Sequence, residues 1–131
     1  MKKTLWRAAN DDYVSQGYSF AESREIAELY LDNPGFGGDK LWQAVAQFKR
    51  SQVIDLTDAD TAEVAARLDM EDPGAIGLDE WLPRDQDAID KLREEGFLWV
   101  LVRESYPEKA TTWIWIGTFY DDEPELRLVE L

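Results

Sequence analysis

The chain has 131 residues, 44% of them apolar, and carries 28 Asp and Glu against 14 Lys and Arg, a formal charge of −14. That length suits one domain, 1–131, with a core of ordinary size, and six Trp, five Tyr and five Phe exclude an acidic disordered tail. With no Cys and no His, disulfides, thiolate nucleophiles, the usual zinc frameworks and the commonest general base are excluded, so any chemistry falls to carboxylates, hydroxyls, Arg or Lys.

The N-terminal Met1 to Arg7 lacks an apolar signal core, and no later run is long enough to span a bilayer; the expected location is the cytoplasm of the producing cell or its host, with no membrane partner. Lys3 to Ala9 reads as an opening strand that stops at the turn-forming Asn10-Asp11-Asp12. Tyr18-Ser19-Phe20 is a second extended piece. Ser23 is placed to cap a helix over 23–31, in which Ile26, Leu29 and Tyr30 recur at helical spacing before Asn33-Pro34-Gly35. After the glycine-rich 33–39 loop, residues 41–48 alternate in two sets, Leu41 to Gln47 and Trp42 to Phe48, which predicts a strand with one better-buried face. Ser51 to Leu56 continues as a strand, and Thr57 or Asp58 is expected to cap a helix reaching Leu68. Pro83 and Asp85 open another helix, stopped at Gly96. Strands over 97–102, 111–119 and 126–131 close an α+β order, with helices inserted between strands. Trp42, Trp99, Trp113 and Trp115 are expected in the core or an interface, whereas Trp81, set among acidic residues, is expected to be exposed.

Residues 55–95 hold 14 acidic and 4 basic side chains and so contribute −10 of the total charge. A run of this kind is either a solvated helical face or a docking surface for a basic protein. A surface so negative repels phosphate, which argues against direct nucleic-acid binding.

Several segments, in their order, resemble the ADP-ribosyltransferase fold, in particular the small anti-CRISPR ADP-ribosyltransferases of phages and mobile elements. They are Leu5-Trp6-Arg7-Ala8, the run Gly17 to Tyr30, Val53-Ile54-Asp55-Leu56-Thr57-Asp58, the run Ala88 to Phe97, and Thr111-Thr112-Trp113-Ile114-Trp115-Ile116. The resemblance covers nearly the whole chain. It implies mixed or antiparallel sheets, NAD as cosubstrate, and mono-ADP-ribosylation of a basic, nucleic-acid-binding protein target.

Such transfer breaks the bond between ribose and nicotinamide through an oxocarbenium-like sugar, which calls for phosphate contacts and a carboxylate near the ribose. The resemblance assigns Arg7 to phosphate or ribose, Ser19 to the nicotinamide side, Tyr18 or Phe20 to ring stacking, and Tyr30 to the cofactor pocket. Most family members start the penultimate strand with a Glu; here that place falls on Thr111 or Thr112, so the acid must come from the preceding turn or be missing. Glu104 is the candidate and Glu108 the reserve. Each has a plainer alternative: Arg7 in a surface ion pair, Ser19 in a capping box with Glu22, and Glu104 and Glu108 solubilising a hairpin loop. The Pro34 to Gly38 loop follows a helix and precedes a strand, which is not the context of a phosphate-binding glycine motif. The alternative function is a non-enzymatic acidic inhibitor, a nucleic-acid mimic or an immunity protein, that blocks a basic surface stoichiometrically.

Overall fold

Period-two patterning in five longer segments, with two three-residue strands, one of which bridges the halves, produces one sheet. The computed structural model describes residues 1–31, 38–71, 77–104, 110–118 and 120–131. Its strands are β1 Lys2–Ala8, β2 Ser19–Ala21, β3 Leu41–Gln47, β4 Val53–Asp55, β5 Trp99–Arg103, β6 Thr111–Trp115 and β7 Glu125–Val129. They lie in the order β4-β5-β6-β2-β1-β3-β7 and are antiparallel except for the parallel β4–β5 pair. The expected α+β class holds, but the sheets expected in the plural are a single mixed sheet. The reason is β2, which pairs with β1 through Ala21 and with β6 through Ser19 to Ala21, and so joins the N-terminal and C-terminal strands.

Alternation along the strands sorts the two faces. Val100, Val102, Ile114 and Ile116 point to a core with the helices, while Trp99, Trp113 and Trp115 point the other way, to Phe20, Leu5, Ala44 and Ala46. Trp42, Trp99, Trp113 and Trp115 are all buried, as their strand positions predict.

The helices are α1 Arg24–Glu28, α2 Thr61–Arg67, α3 Leu78–Trp81 and α4 Gln86–Glu94. Ser23 caps α1, its hydroxyl accepting from the Ile26 N–H at 3.1 Å. This helix is shorter than predicted because Leu29, Tyr30 and Leu31 donate three residues back, as a tightened final turn does. Neither residue expected to cap α2 does so. The Thr57 N–H and Oγ1 both donate to Asp55 Oδ1, at 2.9 and 2.6 Å, closing a local turn, and Asp60 caps instead by accepting from the Ala62 N–H at 2.8 Å. Those bonds hold the Asp55 carboxyl below the usual carboxylate range.

Similar local competition moves two other boundaries. Arg50–Gln52 forms a 3₁₀ turn where a strand was expected to begin at Ser51, and Pro83 belongs to a 3₁₀ turn, Leu82–Arg84, with Asp85 left to cap α4. At the end of β6 the Trp115 ring folds back over Gly117 so closely that a Cβ there would lie 2.3 Å from it, and the strand stops well before the predicted 119. Residue 119 itself lies outside the described residues, as do 33–37 of the glycine-rich loop.

Trp81 corrects an expectation outright. It is 9% exposed, because Leu78, Trp81 and Leu82 share one face at helical spacing and pack into the helix-side core despite their acidic neighbours.

At the end of α2, Met70 N donates to Ala65 O at 2.8 Å and Asp69 N to Ala66 O at 3.2 Å, a Schellman closure in which Asp69 takes φ of 56°. An L side chain is disfavoured there. Asp69→Gly is expected to stabilise the protein by about 1 kcal/mol, read as a higher urea midpoint at unchanged slope.

Candidate functional site

The strands converge on one cleft. Its volume is about 490 Å³, within the usual range for small-molecule sites, and its lining includes Arg7 and Ala8 from β1, Ser19 to Ala21 from β2, and Thr112 from β6. Ala27 and Tyr30 close it from α1 and the turn that follows, Glu104 enters from the end of β5, and Asp79, Glu80, Pro83 and Arg84 come from α3 and its 3₁₀ extension. Of the residues predicted for the site, Arg7, Ser19, Phe20, Tyr30 and Glu104 therefore share one cavity. Tyr18 stands behind it, against Arg7, and Glu108 lies outside the described residues.

Arg7 does not make the surface ion pair that was the plainer expectation. Its Nη1 donates to the Ser19 carbonyl at 2.9 Å, and its guanidinium lies 4.2 Å from the Tyr18 ring centroid. The Tyr18 hydroxyl in turn donates to Asp11 Oδ2 at 2.7 Å, which pins the 10–17 loop beneath the cation. Burial lowers the Arg7 pKa, with Tyr18 and Asp11 acting against it, yet a guanidinium stays charged at any physiological pH. Burial likewise raises the Tyr18 phenol, helped by its bonds to Tyr13 and Asp11.

Ser19 is a strand residue paired with Ile114, so its proposed capping box with Glu22 is not formed; the Glu22 carboxylate accepts from Trp113 Nε1 at 2.7 Å instead. Gly17 also lines the cleft, at φ of 93°, with the Pro83 carbonyl 3.1 Å from where a Cβ would stand. A side chain there would both strain the backbone and push the Pro83 segment outward.

Glu104 is not a solvated hairpin residue. The Tyr30 hydroxyl donates to its Oε1 at 3.1 Å, while Oε2 is buried with no hydrogen-bond partner among the described residues. Burial pushes this carboxyl up; the Thr112 and Tyr30 hydroxyls pull the other way, and the charge of Asp79 adds to the rise. Thr112 Oγ1 is near enough to favour the ionised carboxylate, but neither it nor Oε2 completes a bond of acceptable geometry. Arg7 Nε is buried and equally without a partner among the described residues.

Three polar atoms, Arg7 Nε, Glu104 Oε2 and Thr112 Oγ1, are thus stripped of water in one cavity. Each such atom costs roughly 1–3 kcal/mol unless something binds it. The cleft offers a fixed cationic donor, a hydroxyl and a carboxyl of raised pKa, the equipment for holding a polar ligand and for moving a proton.

Sequence reasoning missed the α3 contribution. Asp79 and Glu80 fell in a stretch without a predicted element, and Arg84 in the opening of the helix expected from Pro83, although Leu78, Trp81 and Leu82 carried a readable helical spacing. The Val53 to Asp58 segment belongs to the outer β4 edge and does not line the cleft. Among the described residues no group of His, Cys, Asp and Glu is placed to hold a metal ion, and no helix is long and apolar enough to cross a membrane. No protein-family model, no curated protein and no solved structure matches the chain.

Proposed function

We propose that the protein is an NAD-dependent mono-ADP-ribosyltransferase that modifies a basic protein, its targets being proteins that handle nucleic acid in a defence complex against phages or mobile elements. One observation carries the reading: Arg7, Ser19, Phe20, Tyr30 and Glu104, far apart in sequence, line a single cavity with three buried polar atoms that lack partners among the described residues. Three of the five segments that resemble the ADP-ribosyltransferases, Leu5 to Ala8, Gly17 to Tyr30 and Thr111 to Ile116, contribute residues to that cavity.

NAD, when bound, supplies the ribosyl group through cleavage of its bond to nicotinamide. The residues of the chain divide the remaining work. Arg7, held by Ser19 and Tyr18, presents a fixed cation to phosphate; Phe20, 1% exposed and packed edge-on against Trp99, backs the β2 wall instead of stacking on a ligand ring; Glu104, once ionised, favours positive charge developing beside it and accepts a proton from the attacking group. Glu104 thereby takes the part that the family's strand-borne Glu would play at Thr111 or Thr112.

Saturation with NAD is expected to raise the melting temperature, since a ligand at a hundred times its Kd stabilises by about 2.7 kcal/mol. Arg7→Ala should remove that shift. An unshifted wild-type protein, together with no labelled product from labelled NAD and candidate targets, would defeat the proposal.

The competing reading, a stoichiometric acidic inhibitor, draws support from well-exposed carboxylates in the 55–95 stretch, such as Asp58 with 90% of its side chain exposed. It requires inhibition that needs no NAD and that charge reversal in 55–95 abolishes.

A further inference from the structure

The stretch Leu78 to Arg84 brings a second kind of chemistry to the cleft. It supplies Asp79 and Glu80, which with Glu104 make three lining carboxylates against the guanidiniums of Arg7 and Arg84. Arg7 has one N–H committed to the Ser19 carbonyl and its face against Tyr18. An anion drawn to the α3 end would therefore meet mostly negative charge. A cationic donor would gain from it.

Beside these carboxylates sits Thr112, only 2% exposed, whose Oγ1 has no hydrogen-bond partner among the described residues. A buried hydroxyl left in this way marks a place where a ligand atom belongs, because its desolvation is otherwise uncompensated. A hydroxyl oxygen and the open Glu104 Oε2 both accept hydrogen bonds, which matches a ligand rich in N–H donors.

We propose that Asp79, Glu80 and Thr112 form a subsite for an organic cation, the guanidinium or ammonium group of a side chain on a basic partner protein. The chain's charge of −14 steers such a partner inward. In the transfer reaction proposed above, the subsite receives the acceptor side chain, and that role rests on the transferase reading; the cation site itself does not.

Butylguanidinium is the direct probe, titrated calorimetrically into the full chain beside the uncharged butylurea, with butylammonium to separate guanidinium from ammonium recognition. Butylguanidinium or butylammonium should bind at least about tenfold more tightly than butylurea, the scale of one charge-assisted contact. The double variant Asp79→Asn/Glu80→Gln should lose about tenfold in affinity for the cation, and Thr112→Val severalfold, each at a melting temperature near that of the wild type. Should the double variant fold poorly, Glu80→Gln at its exposed position provides the same comparison.

Equal binding of the charged and uncharged probes, no binding of either cation, or a folded double variant with undiminished affinity would overturn the subsite. The NAD-induced melting shift, measured on the same samples, keeps the two ideas apart. A shift without cation preference removes the subsite and leaves the transferase reading; cation preference without a shift does the reverse.

Discussion

Glu104→Gln is expected to reduce transfer of labelled ADP-ribose by about a hundredfold or more, the scale of losing a placed carboxylate, while the NAD-induced melting shift survives. Glutamine keeps an acceptor for the Tyr30 hydroxyl, which now bonds Oε1 at 3.1 Å, and removes only the charge. Transfer within a few-fold of wild type would exclude Glu104 as the working acid.

The same substitution makes a prediction about pH. Burial raises the Glu104 pKa in the folded protein, so the folded state holds this proton more tightly than the unfolded chain does. Glu104 therefore favours the fold most at low pH, and that contribution is lost as pH climbs through the ordinary glutamate range to the raised folded value. Wild-type stability should consequently fall relative to Glu104→Gln across that window and run parallel to it above. Activity needs the ionised form, so its acid limb should lie higher than an exposed glutamate would place it.

The second large effect concerns the fold. Trp99→Ala is expected to cost about 3–5 kcal/mol in urea denaturation, a large part of the stability of any domain of this size. Trp99 is 1% exposed and meets three rings: Phe20 at 5.8 Å, Trp113 at 5.8 Å and Trp115 at 5.0 Å between centroids. Because Phe20 sits between Ser19 and Ala21 on the strand that walls the cleft, the cavity left by Trp99 should also weaken NAD binding. A loss below about 1 kcal/mol would mean that the cluster relaxes around the gap.

Much of the cleft was legible because β-strands and caps are written locally. Ser23 ahead of Ile26, the alternation Trp99-Val100-Leu101-Val102, and the stop at Gly96 each follow from the preferences of a few neighbouring residues. The carboxylate was harder. Glu104 and Glu108 fall in the same expected hairpin loop and look alike in sequence; only the fold puts Glu104 beside Tyr30 and Thr112, 74 residues from the first of these. The caps of α2 were misplaced for a related reason, since Thr57, Asp58 and Asp60 are all competent and Asp55 claimed Thr57 first.

The acidity of the chain, its single-domain size, the absence of His and Cys chemistry and the α+β succession needed no tertiary structure: composition and short-period hydrophobicity act through solvent and backbone geometry that every chain shares. Which polar groups lost their water could not be read in that way. Desolvation depends on what lies across a cavity, and here β2 joins two halves of the sheet while α3 folds Asp79 and Glu80 toward Glu104. Only that arrangement brings the buried polar atoms Arg7 Nε, Thr112 Oγ1 and Glu104 Oε2 to one cavity.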